Sequence, residues 1–588
     1  MAAGASEDNR FDFVVLVRGG VSTANWLSGL LRDKGLVVES TPVRRETHFL
    51  LLIRLPLQLI PEAAQQAKLF KLHKDGQEKP FVLSRWPEFT SDSSATSPEQ
   101  IFTRSERQAV VQHMVLEIRA TEPTEVVGQP TMVLKGQSVF AACQRNHVIR
   151  AMFPPHDYEK LAEIRKSWIQ NMALPVFLIR SYFGLRIAFY FAFLSFYTWS
   201  LLVPMVVGIL LSIHKTLAWR VGAVLFSLMW NTLIVELWKR RGHWLSCHWG
   251  LHEQMPPRTR LLYVDQGGPG PLAQRVWKLI ASQIVVTCCV TFSIVQQYQY
   301  FLLEAYVAQT FPVGPRLHTF IRLVPGILNA LVSIVASDVY RSLTRKLTGW
   351  ENHRTLSEYV RHFTVKLIVF DFFARFGTLF YTAFYLQNIP LLRKQVYIQL
   401  ILSFTKDNFI EVAMPKAVRR TTMLLRSLVR RESDYLPGIH SILSEAEMPV
   451  YGTTYTDYYK MFSQFAFVFL FGAVVPLAPL LAFMGNMVEM MVVGYKLIAV
   501  FQRPLQVGSE GIGIWEPAFR AIGFLAVPTN IALLCVEHQD SVSALSRLFS
   551  DTEFVLFLVL IEHMLLFFKF VLQYTLRTEN DCPHLLPP

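Results

Sequence analysis

Asp457 to Val500 reads DYYKMFSQFAFVFLFGAVVPLAPLLAFMGNMVEMMVVGYKLIAV. Two apolar runs, 457 to 474 and 477 to 500, meet at the Pro476-Leu477-Ala478-Pro479-Leu480 punctuation. A hydrocarbon core of ~30 Å takes ~20 helical residues, so the second run is long enough to span a bilayer and the first is at the short end. Each run carries a carboxylate, Asp457 at the start of the first and Glu489 midway along the second. A carboxylate at the bilayer centre costs at least ~2.5 kcal/mol, which requires a compensating partner. Just upstream, the run 395 to 415 repeats the pattern with Asp407 and Glu411, four apart and therefore on one helical face. Four carboxylates on three neighbouring segments point to a shared partner, either a bound cation or a water-filled groove. Ca²⁺ suits such a set because it takes six to eight oxygens in irregular geometry. The plain alternative is that each carboxylate is protonated or matched by a neighbouring lysine such as Lys406 or Lys460.

Outward from this stretch, apolar runs recur at 185 to 212, 219 to 238, 277 to 304, 317 to 340, 362 to 386, 515 to 536 and 552 to 576. With the three above they make ten predicted spans. The 588-residue chain is 52% hydrophobic with 44 Phe, the composition of a polytopic α-helical membrane protein. The opening residues, polar through Arg10, do not read as a secretory leader, which keeps the N-terminus cytosolic. The segments after spans two, four and six then hold Lys239, Arg240 and Arg241, then Arg341, Arg345 and Lys346, then Arg419, Arg420, Arg430 and Arg431. Opposite loops carry scattered charges such as Lys215, Arg316 and Arg547, so the positive-inside bias supports cytosolic N- and C-termini. The same bias accounts for the net charge of +13 and removes the case for nucleic acid. No Asn-x-Ser/Thr sequon occurs, which favours the endoplasmic reticulum or another intracellular membrane over the plasma membrane.

The predicted domains are a cytosolic α+β domain over 1–120, a linker with pre-membrane helices over 121–184, the ten-span domain over 185–576 and a short cytosolic tail over 577–588. Strand-like runs at Phe11 to Val17, Gly35 to Glu39 and Thr47 to Leu55 alternate with helical Thr23 to Lys34 and Pro61 to Leu72, an order resembling a split βαβ, ferredoxin-like domain. Ser105 is the predicted cap of a helix over Glu106 to Ala120. His243, His248 and His252 share a predicted cytosolic loop at a spacing that suits solvated side chains better than a metal. The Walker, dinucleotide and His-Glu-x-x-His motifs of enzymes are missing.

Several motifs occur in order between about Phe102 and Lys569. They are Tyr182-Phe183-Gly184, Glu236-Leu237-Trp238-Lys239-Arg240, Trp350-Glu351-Asn352-His353-Arg354, Leu379-Phe380-Tyr381, the Pro476–Leu480 run, Gln502-Arg503-Pro504, Ile512-Gly513-Ile514-Trp515 and Glu562-His563. Together they resemble the anoctamin family, with Glu236 and Glu562-His563 most similar to the branch containing anoctamin ten. The resemblance implies a homodimer joined through span ten, a groove along spans three to seven, and a Ca²⁺ site between spans six, seven and eight. It also implies activity as a Ca²⁺-activated phospholipid scramblase or chloride channel. The family's ligand positions fall on Asp407, Glu411, Asp457, Lys460, Glu489 and Val493, of which Lys460 and Val493 cannot ligate. At ~4 Å and an effective dielectric of ~20, a tethered ammonium costs a cation about 4 kcal/mol per unit charge. Two outcomes follow: a degenerate Ca²⁺ site on Asp407, Glu411, Asp457 and Glu489, or Lys460 as a built-in counter-cation that replaces the ion. A second family site, between spans two and ten, keeps Glu236 and Glu562 but has Arg577 and Thr578 where related chains have Pro-Asp.

For transport the polar track matters more than the metal. Gln283 and Thr287 in span three, Asn329, Ser333 and Ser337 in span four, and Asp371, Arg375 and Thr382 in span five would let a lipid headgroup cross while its tails stay in hydrocarbon. The competing use of these side chains is interhelical hydrogen bonding, with Asp371 and Arg375 paired at i,i+4. The expected function is thus passive scrambling of membrane phospholipids. The runner-up is a chloride channel on the same scaffold, and the third reading is a transport-dead scaffold or tether.

Overall fold

The computed structural model describes residues 11–44, 48–74, 78–89, 97–171, 175–213, 216–251, 259–264, 272–310, 316–402, 417, 420–421, 437–452, 454–509, 511–537 and 551–576. The N-terminal domain is a four-stranded antiparallel sheet in the order Val37–Arg44, His48–Arg54, Phe13–Arg18, Ile149–Phe153. The alternation of side chains explains why the two central strands are apolar between their charged ends Arg18, His48 and Arg54. Phe13, Val15 and Val17 face the domain core with Leu51 and Ile53. Val14, Leu16, Leu50 and Leu52 face the other way, against Ala151, Phe153 and Ala446 of the helix Pro437–Ala446. Both faces are covered, so no polar alternation is left to read.

Two sequence expectations change here. The fourth strand, Ile149–Phe153, is hydrogen-bonded to Phe13–Arg18, so the sheet domain runs well past residue 120 into the stretch read as linker. The helix Arg104–Leu116 is capped by Thr103, not Ser105: Thr103 accepts from the Glu106 amide while Glu106 reaches back to the Thr103 amide, a reciprocal capping box.

Among the described residues, seven helices are long and apolar enough to cross a membrane: Leu185–Ile213, Ala218–His248, Ala273–Val307, Leu356–Tyr385, Ala478–Ala499, Trp515–Glu537 and Thr552–Thr575. Of the other three predicted spans, 317 to 340 lies within a 35-residue helix, Arg316–Trp350, that is not among those seven. The run 395 to 415 falls largely outside the described residues. The third, 457 to 474, is a helix of 16 residues, Tyr455–Leu470, about 24 Å at ~1.5 Å per residue and so shorter than the hydrocarbon core. This short helix is buried on every side, so the charged and polar groups it carries, Asp457, Lys460, Ser463 and Gln464, are buried with its apolar ones. Trp515 packs against it, with ring centroids 5.4 Å from Tyr455 and 5.8 Å from Tyr458. The second span continues as helix through His248, so His243 and His248 stand on a helix and not in a loop.

A junction ties the sheet domain to the membrane helices. Gly184, at φ +90°, breaks the chain between the pre-membrane helix Val176–Phe183 and the first span, a conformation that favours glycine. Arg503, 2% exposed, stacks on the Tyr182 ring at 3.8 Å, donates to the Tyr182 carbonyl at 2.8 Å and bonds the Gln108 side chain. His156 contacts the Tyr182 hydroxyl at 3.1 Å and the Phe501 carbonyl at 3.3 Å. Burial, opposed by that carbonyl and aided by Arg503, lowers the His156 pKa to about 4, so the ring is neutral. The Tyr-Phe-Gly and Gln-Arg-Pro motifs therefore meet at one joint.

Candidate functional site

Asp457 sits in the first turn of Tyr455–Leu470, and Lys460 follows one turn later on the same face. Glu489, Val493 and Lys496 lie at i, i+4 and i+7 along Ala478–Ala499, which aligns them on one stripe. The two helices bring these residues together as crossed ion pairs. The Lys460 ammonium donates to Glu489 Oε1 at 3.1 Å, and Lys496 Nζ stands 3.9 Å from Asp457 Oδ1. The Tyr451 hydroxyl also donates to Asp457, and Arg186 of the first span is close enough to feel its charge. All four charged groups are buried. Val493 is fully buried among core side chains and offers no oxygen. Asp407 and Glu411 lie outside the described residues.

Lys496 was missed in the sequence. The signal was available, since an ammonium inside an apolar run is as costly as a carboxylate, and a spacing of seven from Glu489 puts it on the same face. The expected lysine for Asp457 was one in its own segment; the partner comes from the neighbouring helix.

The polar residues of spans three to five divide into two groups. Gln296 bonds Asn329 and reaches Ser333 at 3.5 Å, while Gln297 donates to the carbonyls of Phe373 and Ala374 at 3.1 and 3.0 Å. These clamp the third helix to its neighbours. Gly377 makes the Gln297 approach possible, because a Cβ there would collide with that amide. Asp371 and Arg375 are not paired with each other: Tyr455 donates to Asp371 at 2.8 Å, and Arg375 lies over the Tyr459 ring at 5.2 Å. Thr382 is buried and bonds its own helix at the Thr378 carbonyl, and Ser337 is half-buried. Gln283 and Thr287, with Thr291 one turn further on, form an exposed stripe on the third span. Thr287 and Thr291 hydrogen-bond the carbonyls of Gln283 and Thr287 at 3.0 Å, so each hydroxyl is satisfied within the helix.

A second charged knot closes the end of the fourth helix. Potential ligand atoms of Glu351, His353 and His362 lie within 4.8 Å of one another. Lys366 already holds Glu351, and His353 contacts the same carboxylate at 2.8 Å. The two imidazoles stack at 4.3 Å and 17°, so their lone pairs run side by side and do not converge on one metal. Burial raises the Glu351 pKa, but the bonds to His353 and Lys366 outweigh it and leave it at about 2.

The family model described as "Anoctamin: Calcium-activated chloride channel" matches residues 179–582, which includes every charged group above. The chain belongs to the anoctamin family. It is 31% identical to Anoctamin-10 of Mus musculus over 499 residues, covering 81% of this chain and 75% of that one. It is 30% identical to Anoctamin-10 of Homo sapiens over 503 residues, covering 81% and 76%. Anoctamin-8 of Mus musculus is 29% identical over 340 residues, covering 55% and 32%. Anoctamins are channels and scramblases rather than enzymes, and this chain is accordingly an integral multi-pass membrane protein.

The anoctamin resemblance also singles out the space between spans two and ten. There Glu236 stands 3.4 Å from Arg520 of the Trp515–Glu537 helix, and Arg520 also reaches Glu516 at 3.4 Å. Lys569 of the last helix is buried, donating to the Gly523 carbonyl at 2.7 Å and to Asn231 at 3.3 Å. Protein cations therefore stand in this region too.

Proposed function

We propose that this anoctamin is a passive phospholipid scramblase in which lysine side chains take the place of the activating ion. The observation that carries the transport half is the exposed stripe Gln283–Thr287–Thr291 on the third span, where Ser282, Ser293 and Gln297 are buried. Three polar side chains over eight residues extend about 12 Å along the helix at ~1.5 Å per residue. The Gln283 amide offers a lipid headgroup donors, and the threonine oxygens, whose protons are spent within the helix, offer acceptors in place of the water it leaves; an unpaired polar group would lose several kcal/mol in hydrocarbon. Asn329 and Ser333, bridged to Gln296, support the wall of this path, while Asp371, Arg375 and Thr382 belong to its buried side.

The regulatory half rests on the ion pairs. Ca²⁺ needs free carboxylate oxygens, and Asp457 and Glu489 as they stand do not fit it, because each faces an ammonium and Val493 supplies nothing. Any Ca²⁺ at Asp407, Glu411, Asp457 and Glu489 must first displace Lys460 and Lys496, so binding is weak or replaced altogether.

A chloride path is the second reading. Arg375, a half-buried cation against Tyr459 beside the same helices, favours it. The reading takes the protein as a homodimer joined through the last helix, whose Leu556, Leu560, Met564 and Phe567 are all exposed in the single chain. It places both termini on the cytosolic side of an intracellular membrane. Purified protein in liposomes, with fluorescent-lipid bleaching and anion flux measured in parallel, tests the proposal. Lipid exchange in chelator alone is the expected result. Anion flux without lipid exchange selects the channel, and neither activity at any Ca²⁺ concentration selects a scaffold.

A further inference from the structure

The last helix, Thr552–Thr575, is almost bare in the single chain, with 6% of its apolar stretch buried. One charged residue on it is nevertheless enclosed. Lys569 lies near the helix end, where a lysine side chain can ordinarily extend to the interface, yet it is 3% exposed and turns inward. Its ammonium donates to the Gly523 carbonyl at 2.7 Å and to Asn231 Oδ1 at 3.3 Å, and stands 5.5 Å from the centre of the Phe524 ring. The second span, the Trp515–Glu537 helix and the last helix therefore meet on one nitrogen. Gly523 permits this, because a Cβ there would collide with both Asn231 Oδ1 and Lys569 Nζ.

Charge and hydrogen bonding are both out of balance at this point. Lys569 makes no ion pair with a carboxylate among the described residues. The acids of the two facing helices are taken by arginines: Glu236 and Glu516 by Arg520, and Glu537 by Arg220 and Arg393. An ammonium only donates, so the Asn231 amide must turn its oxygen to Lys569. The other end of that amide, Nδ2, is buried and has no acceptor among the described residues. A buried cation without a counter-charge and a buried N–H without an acceptor are each costly, and here they share one amide. A single anion within reach of both would satisfy both.

We infer that these three helices enclose one structural chloride ion, held by Lys569 Nζ and Asn231 Nδ2. One positive charge and two N–H donors suit a monovalent anion, and packing so close that a methyl group does not fit at Gly523 limits it to a single atom. The resemblance points to Ca²⁺ in the region between the second and last spans, whereas a buried ammonium there calls for the opposite charge. The site lies apart from the polar stripe of the third span, so it does not depend on which solute the protein moves. Its ion completes the joint that fastens an otherwise bare helix to its neighbours.

The test melts the full-length protein in detergent in sodium chloride and in sodium gluconate of equal ionic strength, and reads binding directly from the line width of the chloride NMR signal. The parent is expected to melt several degrees higher in chloride and to broaden the signal. Lys569→Met removes the charge that needs an ion but keeps the apolar stem, so it should fold and lose both responses. Asn231→Asp keeps the lysine and tethers a carboxylate beside it, and this variant should melt alike in the two salts, at or above the parent in chloride. Lys394→Met alters an exposed lysine on another helix and keeps the parent's response. The inference is overturned if the parent melts alike in both salts or leaves the chloride signal sharp, if Lys569→Met responds as the parent does, if Asn231→Asp still depends on chloride, or if Lys394→Met loses the response equally.

Discussion

Lys460→Glu offers the sharpest trial of the lysine-filled site. In the parent, the ammonium lies 3.1 Å from Glu489, an attraction of about 5 kcal/mol at an effective dielectric of ~20. Charge reversal replaces that attraction with repulsion and leaves Glu489 buried without this partner. Removing one member of a buried pair typically costs ~3–5 kcal/mol, and the variant should lose at least that much in Ca²⁺-free buffer. The substitution also restores an oxygen donor at a position where the family supplies one, so Ca²⁺ gains a site. Ligand at 100 times its dissociation constant returns ~2.7 kcal/mol, a large part of the loss. The parent should therefore melt at the same temperature in chelator and in millimolar Ca²⁺. The variant should melt lower in chelator and recover on adding Ca²⁺. Lipid exchange in liposomes should follow the same pattern, being Ca²⁺-independent in the parent and Ca²⁺-dependent in Lys460→Glu. Lys460→Met separates charge loss from ligand gain: it should be destabilised and recover less with Ca²⁺. A parent protein that responds to Ca²⁺ as steeply as the variant would show that the ammonium does not exclude the ion, and the counter-cation reasoning would fail.

Three further predictions concern the scaffold. His156 is held neutral with a pKa of about 4 against ~6.5 when unfolded, so its contribution is complete above pH 6.5 and is lost as the pH falls towards 4. The loss is about 3 kcal/mol, and melting curves from pH 7.5 to 4 should fall more steeply for the parent than for His156→Gln. Gly377→Ala should push Gln297 off the Phe373 and Ala374 carbonyls and destabilise the contact between the third and fifth spans by about 1–3 kcal/mol, read by unfolding in detergent; an unchanged midpoint refutes the packing role. Tyr455→Phe removes the donor to buried Asp371 and should cost about 1–3 kcal/mol, with Asp371→Asn in the same background recovering part of it.

Legibility in the sequence followed period and cost. Long apolar runs announced most of the membrane helices, because lipid leaves a chain few other ways to satisfy its backbone. The first three strands and the helix between them were readable within a few residues, but the fourth strand was not. Ile149–Phe153 is short and sits far along the chain from Phe13–Arg18, and its pairing is set by tertiary contact, which local pattern does not encode. At the site, the expense of buried charge pointed to Asp457, Lys460 and Glu489. It did not reveal which lysine meets which carboxylate, because helices choose partners through packing angle and not through sequence spacing. The same limit explains Asp371 and Arg375. Their i,i+4 spacing permits a pair, yet two tyrosines on the seventh helix claim them separately.

A tethered cation differs from a bound ion in one physical respect, concentration. Occupancy of a Ca²⁺ site rises and falls with free Ca²⁺, whereas Lys460 and Lys496 are present at all times, at an effective concentration fixed by the fold. On the proposed reading, lysine in place of the ion removes a variable without removing the positive charge beside Asp457 and Glu489. Arg520 beside Glu236 repeats the substitution in the second region where the family resemblance leads one to look for an ion. If charge at both places is constant, any change between resting and transporting states must come from groups whose partner can leave. Lipid exchange by Lys460→Glu should then respond to Ca²⁺, and exchange by the parent should not. A parent whose exchange rises with Ca²⁺ would show that the lysines do not hold the charge at these places constant.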